Sequence, residues 1–125
     1  MTVGIVLISH SAELADAAVA MAARFGGPDV PLAAAGGTDD GRLGTSVDKI
    51  AAAVRAVDRG AGVLLIPDLG SAVLTARVLE EPGTVVVADV PFVEGAVSAA
   101  VIAATGADLT EVLAAAEDTR TRSKF

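Results

Sequence analysis

Short apolar runs alternate along this chain with longer stretches in which apolar residues recur at helical spacing. The runs predict four strands, at residues 3–8, 30–34, 63–66 and 84–88. Uninterrupted apolar strands are typical of parallel sheets that are covered on both faces. The pattern therefore predicts an α/β fold: a doubly wound, mainly parallel sheet of four strands with helices on both faces. A fifth strand at the edge of the sheet is the alternative.

The helical segments carry recognisable start and stop signals. Gly26 and Gly27 end the first predicted helix, and Thr45 or Ser46 begins the second. The third predicted helix follows residues 67–71 and runs to about residue 79, and the fourth spans about 92–105. Asp108, three residues before Glu111, forms a capping-box pattern that predicts a last helix to about residue 118. These signals predict one domain over residues 1–119 and a basic C-terminal tail over 120–125.

Composition narrows the classes of function. The 125 residues include no Cys, Trp or Tyr and carry a formal charge of −7. The lack of Cys excludes disulfide scaffolds, thiolate metal sites and cysteine nucleophiles. The negative charge and the missing aromatic residues argue against nucleic-acid binding. No apolar run approaches the roughly 20 residues that span a membrane, and no basic region precedes the first run, so we expect a cytoplasmic protein.

The one histidine, His10, follows the first predicted strand directly and precedes a helix. Ser9 and Ser11 flank it with hydroxyl groups, and both are candidates for contacting a phosphate or a docked partner. The positive end of the helix dipole disfavours an imidazolium, so the ring is expected to be neutral and nucleophilic. His10 is therefore a candidate phosphoryl acceptor, and a solvated loop histidine is the alternative.

Asp68 ends the third predicted strand, so its side chain is expected on the same rim of the sheet as His10. Its carboxylate could fix the imidazole tautomer by accepting a hydrogen bond from one ring nitrogen. Its alternative role is a cap or turn residue before Gly70 and Ser71. Gly70 lets the backbone approach a bound group, and Ser71 could either cap its helix or contact a phosphate.

A glycine-rich stretch at residues 36–44 follows the second strand. It is not a Walker loop, because Arg42 and Leu43 occupy the positions where Lys and Ser or Thr are required. Gly36, Gly37 and Thr38 are candidates for contacting a phosphate or a docked partner, and a surface turn is the alternative. Adjacent carboxylates in this turn are more often solvated than metal-binding, so we predict no metal site.

Five segments of the sequence resemble one family. They read GIVLISHS at residues 4–11, AAGGTDDG at 34–41, LGTS at 43–46, PDLGSA at 67–72 and PFVEGA at 91–96. Together they resemble the phosphotransferase subunit of phosphoenolpyruvate-dependent dihydroxyacetone kinase, over nearly the whole chain. The glycine segments distinguish that subunit from its relative, the mannose-type EIIA domain of the sugar phosphotransferase system (PTS).

The resemblance implies a chain of phosphoryl transfers. The histidine matched by His10 accepts phosphate, expected on its tele nitrogen, from the histidine phosphocarrier protein (HPr). It passes the group to ADP held by the nucleotide-binding kinase subunit (DhaL), and the subunit DhaK binds dihydroxyacetone. The resemblance also assigns the partner of His10 to Asp68, implies a homodimer, and places ADP and ATP on the partner subunit, so that this chain binds no cofactor itself. A mannose-type strand exchange is not expected, since a helix and a basic tail follow residue 108.

Three alternatives remain open at this stage. A mannose-type sugar IIA component would share the fold and the histidine. A receiver-like signalling domain would instead use Asp68 as the phosphoacceptor, although such domains need an acidic pair where Ser9 and His10 stand. A binding module without turnover would use the glycine-rich rim to hold a small anion.

Overall fold

The computed structural model describes residues 1–125 and contains four strands that form one sheet. The strands are β1 (Gly4–Ser9), β2 (Leu32–Gly36), β3 (Val63–Pro67) and β4 (Val85–Val87), in the spatial order β2-β1-β3-β4. All three strand pairs are parallel. The predicted doubly wound parallel sheet is therefore confirmed.

Five α-helices connect and cover the strands. They are α1 (Ala12–Gly26), α2 (Val47–Val57), α3 (Gly70–Ala76), α4 (Phe92–Ala103) and α5 (Leu109–Asp118). Ser46 caps α2 by accepting from the Lys49 N–H, and Asp108 and Glu111 form the predicted capping box of α5. None of these helices combines the length and the apolar character that crossing a bilayer requires.

The alternation of side chains along β1 separates two cores. Ile5 and Leu7 face the layer of α1, α4 and α5, while Val6 and Ile8 face the layer of α2 and α3. All four side chains are completely buried. Because both faces of the strand are covered, every position must be apolar, and this is why the run shows no polar alternation.

Small residues let the helices on the first face approach closely. A Cβ built on Gly26 of α1 would lie 3.0 Å from the Cβ of Ala100 in α4. The buried positions of α4 are all Gly or Ala. The high alanine content of the chain is thus explained by packing at short interhelical distance.

Most of the observed elements differ by one or two residues from the sequence predictions. The first strand is Gly4–Ser9 rather than 3–8, the third ends at Pro67 rather than 66, and the fourth helix ends at Ala103 rather than near 105. The second strand was expected at residues 30–34 but lies at Leu32–Gly36, because its pairing with β1 continues to Ser9 opposite Gly36. The third helix was expected to reach residue 79, but α3 ends at Ala76 and a 3-10 turn covers Arg77–Leu79. The fourth strand was expected at residues 84–88 and is limited to Val85–Val87.

No fifth strand extends the sheet. At the outer edge of β4, the backbone of Glu81 bridges to Val85 and the carboxylate of Glu80 accepts a hydrogen bond from the Val87 N–H at 3.3 Å. These contacts occupy polar backbone groups that a further strand needs for pairing. The expected homodimer stays a prediction.

Candidate functional site

The candidate site lies where the order of strands reverses. The chain leaves β1 toward β2 on one side and returns to β3 on the other, so the carboxyl ends of β1 and β3 flank the switch point of the sheet. Ile8 pairs with Pro67 in register, and the Asp68 N–H donates to the Ile8 carbonyl at 2.9 Å. This register brings the residues that follow the two strands together.

Asp68 is fixed by four hydrogen bonds. Its Oδ2 accepts from the Ser9 hydroxyl at 2.9 Å and from the His10 backbone N–H at 3.1 Å. Its Oδ1 accepts from the Leu69 backbone N–H at 2.7 Å and lies 3.0 Å from His10 Nδ1. Partial burial is the largest single influence on the pKa of Asp68 and raises it, but the hydrogen bonds from His10, Ser9 and Leu69 together hold that pKa below its ordinary value of 3.8. Asp68 is therefore ionised at neutral pH.

The carboxylate determines the tautomer of His10. Because an ionised carboxylate can only accept, Nδ1 must carry the proton in the 3.0 Å contact with Oδ1. In the neutral imidazole Nε2 is then the acceptor, and the Ser71 hydroxyl, 2.8 Å away, is placed to donate to it. The His10 side chain keeps 25% of its surface exposed, whereas Asp68 keeps 9%. The imidazole is thus partly exposed and rests on a carboxylate that is largely covered.

The flanking serines have structural roles in this arrangement. Ser9 is completely buried, and its oxygen also accepts the Ser11 N–H at 3.0 Å. Ser11 is the N-cap of α1 and accepts from the Leu14 N–H at 3.2 Å. Both residues were predicted as phosphate or docking contacts on the rim. The structure uses their hydroxyls to hold Asp68 and the start of α1.

The glycine-rich stretch packs against the backbone of the site. Gly37 N–H donates to the Ser9 carbonyl at 3.1 Å with a positive φ of 74°, and Gly44 N–H donates to the His10 carbonyl at 3.0 Å. A Cβ on Gly36 would lie 2.7 Å from the Ser11 carbonyl oxygen. These glycines therefore hold the histidine segment through close backbone contacts.

Thr38 closes the turn within this stretch. Its hydroxyl accepts from the Arg42 N–H at 3.0 Å and donates to Asp40 at 2.5 Å. Its hydrogen-bonding partners lie inside the loop, so the structure does not bring it into contact with the imidazole. The three glycines and Thr38 form one supporting loop beside His10.

The start of α3 supplies the remaining predicted residues. Leu69 is the N-cap of α3 and makes no side-chain cap, so neither Asp68 nor Ser71 has the capping role that the sequence left open. Gly70 is exposed at the first helical position, and a Cβ there would meet no atom within 4 Å. Ser71 is the one predicted rim residue whose side chain contacts the imidazole.

Some supporting contacts were not predicted, although Gly44 and Thr45 lie in segments that the sequence had singled out. Gly44 contacts the His10 carbonyl, Lys49 Nζ donates to the Gly36 carbonyl at 2.9 Å, and Thr45 and Thr75 share a hydrogen bond of 2.8 Å. Each contact joins segments that are distant in the chain. The helical spacing of Thr75 from Ser71 was visible in the sequence, but its partner was not.

The geometry also bears on the receiver-like alternative. Both oxygens of Asp68 are occupied by hydrogen bonds, and the side chain is largely covered. An aspartate that accepts a phosphoryl group needs a free oxygen that faces the donor. His10 Nε2 has a single hydrogen-bonding contact, with the Ser71 hydroxyl, and belongs to a side chain that is more exposed than that of Asp68.

Comparison with known proteins identifies a family for this chain. Residues 4–113 match the family model EIIA-man, which is described as PTS system fructose IIA component. The chain is 36% identical over 107 residues to the phosphoryl donor subunit DhaM of PEP-dependent dihydroxyacetone kinase 2 from Listeria innocua, and the match covers 79% of this chain and 84% of the relative. The corresponding subunit from Escherichia coli is 35% identical over 120 residues, which cover 89% of this chain but 25% of that longer protein.

A solved structure has nearly the same fold over its full length. The crystal structure of EF1359, described as a protein of unknown function, superposes with a TM-score of 0.86 and 32% sequence identity. The match covers 100% of this chain and 99% of that one.

Proposed function

Since this chain belongs to the EIIA-man family and to its branch of phosphoryl donor subunits of dihydroxyacetone kinases, we propose that it carries a phosphoryl group on His10. The group comes from the histidine phosphocarrier protein and passes to ADP bound in the nucleotide-binding kinase subunit. The resulting ATP then phosphorylates dihydroxyacetone on the third subunit. The nucleotide belongs to the partner, so this chain itself acts as the carrier.

The observation that carries this proposal is the difference between the environments of the two ring nitrogens of His10. Nδ1 is held by an ionised carboxylate at 3.0 Å, while the single hydrogen-bonding contact of Nε2 is a hydroxyl at 2.8 Å. A histidine that serves only to stabilise the fold gains nothing from a lone pair that a hydroxyl can release. A histidine that accepts a phosphoryl group requires one.

The first transfer can be written with this geometry. The Nε2 lone pair attacks phosphorus, the P–N bond to the donor histidine breaks, and its electron pair stays on the donor's imidazole. No proton has to leave His10, because Nδ1 keeps its hydrogen. The ring becomes cationic as the P–N bond forms, and the adjacent Asp68 carboxylate stabilises that charge.

Ser71 has a distinct role in the proposal. Its hydroxyl donates to Nε2 in the resting state. As phosphorus approaches, rotation about the side chain frees the lone pair and turns the same proton toward a phosphoryl oxygen. The hydroxyl would thereby hold the nucleophile in position and later stabilise the transferred group. Catalysis then consists mainly of positioning and electrostatic stabilisation, as is usual for phosphoryl transfer.

A reconstituted reaction tests the proposed function. Purified enzyme I, phosphocarrier protein, this chain and the two other kinase subunits are mixed with phosphoenolpyruvate and dihydroxyacetone, and pyruvate release is recorded. We expect turnover that depends on this chain and on dihydroxyacetone. Discharge of the charged chain to a sugar IIB protein, with none to the ADP-loaded subunit, would assign the chain to the sugar branch instead.

The homodimer and the cytoplasmic location are part of the same proposal, and sedimentation of the purified chain tests whether it is a homodimer.

A further inference from the structure

Four large apolar side chains are exposed on the two segments that flank His10, which are the loop before α2 and the helix α3 with the 3-10 turn that follows it. They form what we call the apolar collar: Leu43 (79% exposed), Leu69 (59%), Leu74 (73%) and Val78 (67%). A single exposed leucine is ordinary in a folded protein, but several on one surface indicate an interaction site. The collar has no role in the chemistry described above.

Hydrogen bonds tie the segments of Leu43 and Leu69 to the site, and the helix that begins beside the site carries Leu74 and Val78. Leu43 precedes Gly44, whose N–H donates to the His10 carbonyl, and the Leu69 N–H donates to Asp68. Leu74 lies one helical turn beyond Ser71, whose hydroxyl contacts Nε2. Val78 follows Leu74 after a further turn.

The collar is also held together across the two segments that carry it. The hydrogen bond of 2.8 Å between Thr45 and Thr75 joins the loop after Leu43 to the helix of Leu74. On the loop side, the Ser46 hydroxyl donates to Asp39, which fixes the approach to α2. The segments that carry the apolar side chains are therefore fixed to each other, and a partner that docks there loses little free energy in ordering them.

Charge at the site argues against a free nucleotide as the occupant. Apart from Asp68, the hydrogen-bonding partners of the His10 side chain are limited to Ser71, and no Lys or Arg pairs with either residue. The whole chain carries a formal charge of −7. A polyphosphate that binds by itself needs cationic or backbone donors around its oxygens. The side chains of the collar offer none, and the neighbouring Arg42 is paired with Asp40 at 2.9 Å.

We propose that the apolar collar is the docking surface for a nucleotide-loaded protein subunit, whose contact surface is apolar at its centre and basic at its edge. The inference rests on the proposed function and identifies where that partner binds. In the docked complex the P–Nε2 bond breaks with its electron pair left on the imidazole, and a P–O bond forms to the terminal oxygen of ADP. The partner supplies the cationic groups that stabilise the transferring phosphoryl group.

The test separates docking from chemistry. His10 is charged with phosphoramidate, a small donor that releases ammonia and needs no protein partner. Discharge is then followed in single turnovers with ADP bound to the kinase subunit, and in parallel with free Mg-ADP. The variants are Leu43→Asp and Leu74→Asp, which place a carboxylate in the collar without altering the hydrogen bonds of His10.

We expect both variants to be charged by phosphoramidate at the wild-type rate and to discharge to the loaded subunit at least about tenfold more slowly. The control is Val101→Asp, an exposed valine of α4 at the opposite end of the sheet, which should discharge normally.

Two results would overturn the assignment of the collar: wild-type discharge rates in both collar variants, or equally fast discharge of the wild type to free Mg-ADP. A wild-type chain that is charged but never discharges to the loaded subunit refutes the proposed function itself, and with it the partner named here. These measurements thus distinguish an error in the assignment of the docking surface from an error in the proposed function.

Discussion

Replacing Asp68 by asparagine removes the charge behind His10 with little change in side-chain volume. In the wild type, the carboxylate accepts from Nδ1 at 3.0 Å and receives three further hydrogen bonds from Ser9, Leu69 and the His10 backbone. The asparagine amide nitrogen cannot accept, so at least one of these donors loses its partner. The positive charge that develops on the ring during transfer also loses its counterion.

A hydrogen bond to a charged group contributes about 1.5–3 kcal/mol, which corresponds to a factor of about 10–150 in rate. We therefore expect Asp68→Asn to slow the charging of His10 by the phosphocarrier protein by that factor. The assay is a quenched-flow single turnover with labelled phosphocarrier, and circular dichroism confirms that the fold is retained.

Asp89→Asn is the matched control for this variant. Asp89 follows β4 on the same rim, but its side chain is 90% exposed and lies 3.6 Å from Arg120, away from the ring contacts. It should charge at the wild-type rate. If Asp68→Asn also charged within twofold of the wild type, the carboxylate would have no part in stabilising the transfer.

The remaining predictions concern the pH dependence, the hydroxyl and the glycines of the site. The folded pKa of Asp68 lies below 3.8, so the stability that its ionised form contributes is fully present above pH 3.8. That stability is lost as the pH falls through the lower folded pKa. Urea titrations from neutral pH downward should therefore show the wild type losing its advantage in stability over Asp68→Asn only in that acidic range. Ser71→Ala should shorten the lifetime of phosphorylated His10, and Ser71→Thr, which keeps the hydroxyl, should restore it in a hydrolysis assay; equal lifetimes would remove Ser71 from the transferred state. Gly36→Ala should lower the free energy of unfolding by about 1–3 kcal/mol, because its Cβ would meet the Ser11 carbonyl at 2.7 Å. Gly70→Ala should leave the free energy of unfolding unchanged or raise it by up to about 1 kcal/mol, since a Cβ there meets nothing within 4 Å. If chemical denaturation showed Gly70→Ala to be less stable than Gly36→Ala, the packing described here would be contradicted.

The sequence predicted the parallel sheet and the meeting of His10 with Asp68 because both follow from local pattern and topology. Residues that follow neighbouring parallel strands share one rim, so their proximity needs no knowledge of side-chain direction. Helix caps are local as well: the capping box of Asp108 was predicted correctly, and Ser46 was one of the two residues at which the second helix was expected to begin.

The direction of the hydroxyls could not be predicted in the same way. Ser9 and Ser11 lie beside His10 in sequence, yet the pleat of β1 turns Ser9 into the interior and the start of α1 uses Ser11 as its cap. Ser71 lies 61 positions from His10 and contacts its reactive nitrogen. The limits of β2 were missed for a related reason, because the pairing with β1 extends the strand to Gly36, a residue that by itself indicates a turn.

The site of phosphorylation is the most direct test of this account. The isotopically labelled protein is charged through the phosphocarrier protein, and the ring nitrogens of His10 are assigned by nitrogen NMR. The geometry predicts a single phosphoryl group on Nε2, with the proton retained on Nδ1 opposite Asp68, and no labelling of His10→Ala. A phosphoryl group on Nδ1, or undiminished labelling of the alanine variant, would contradict it.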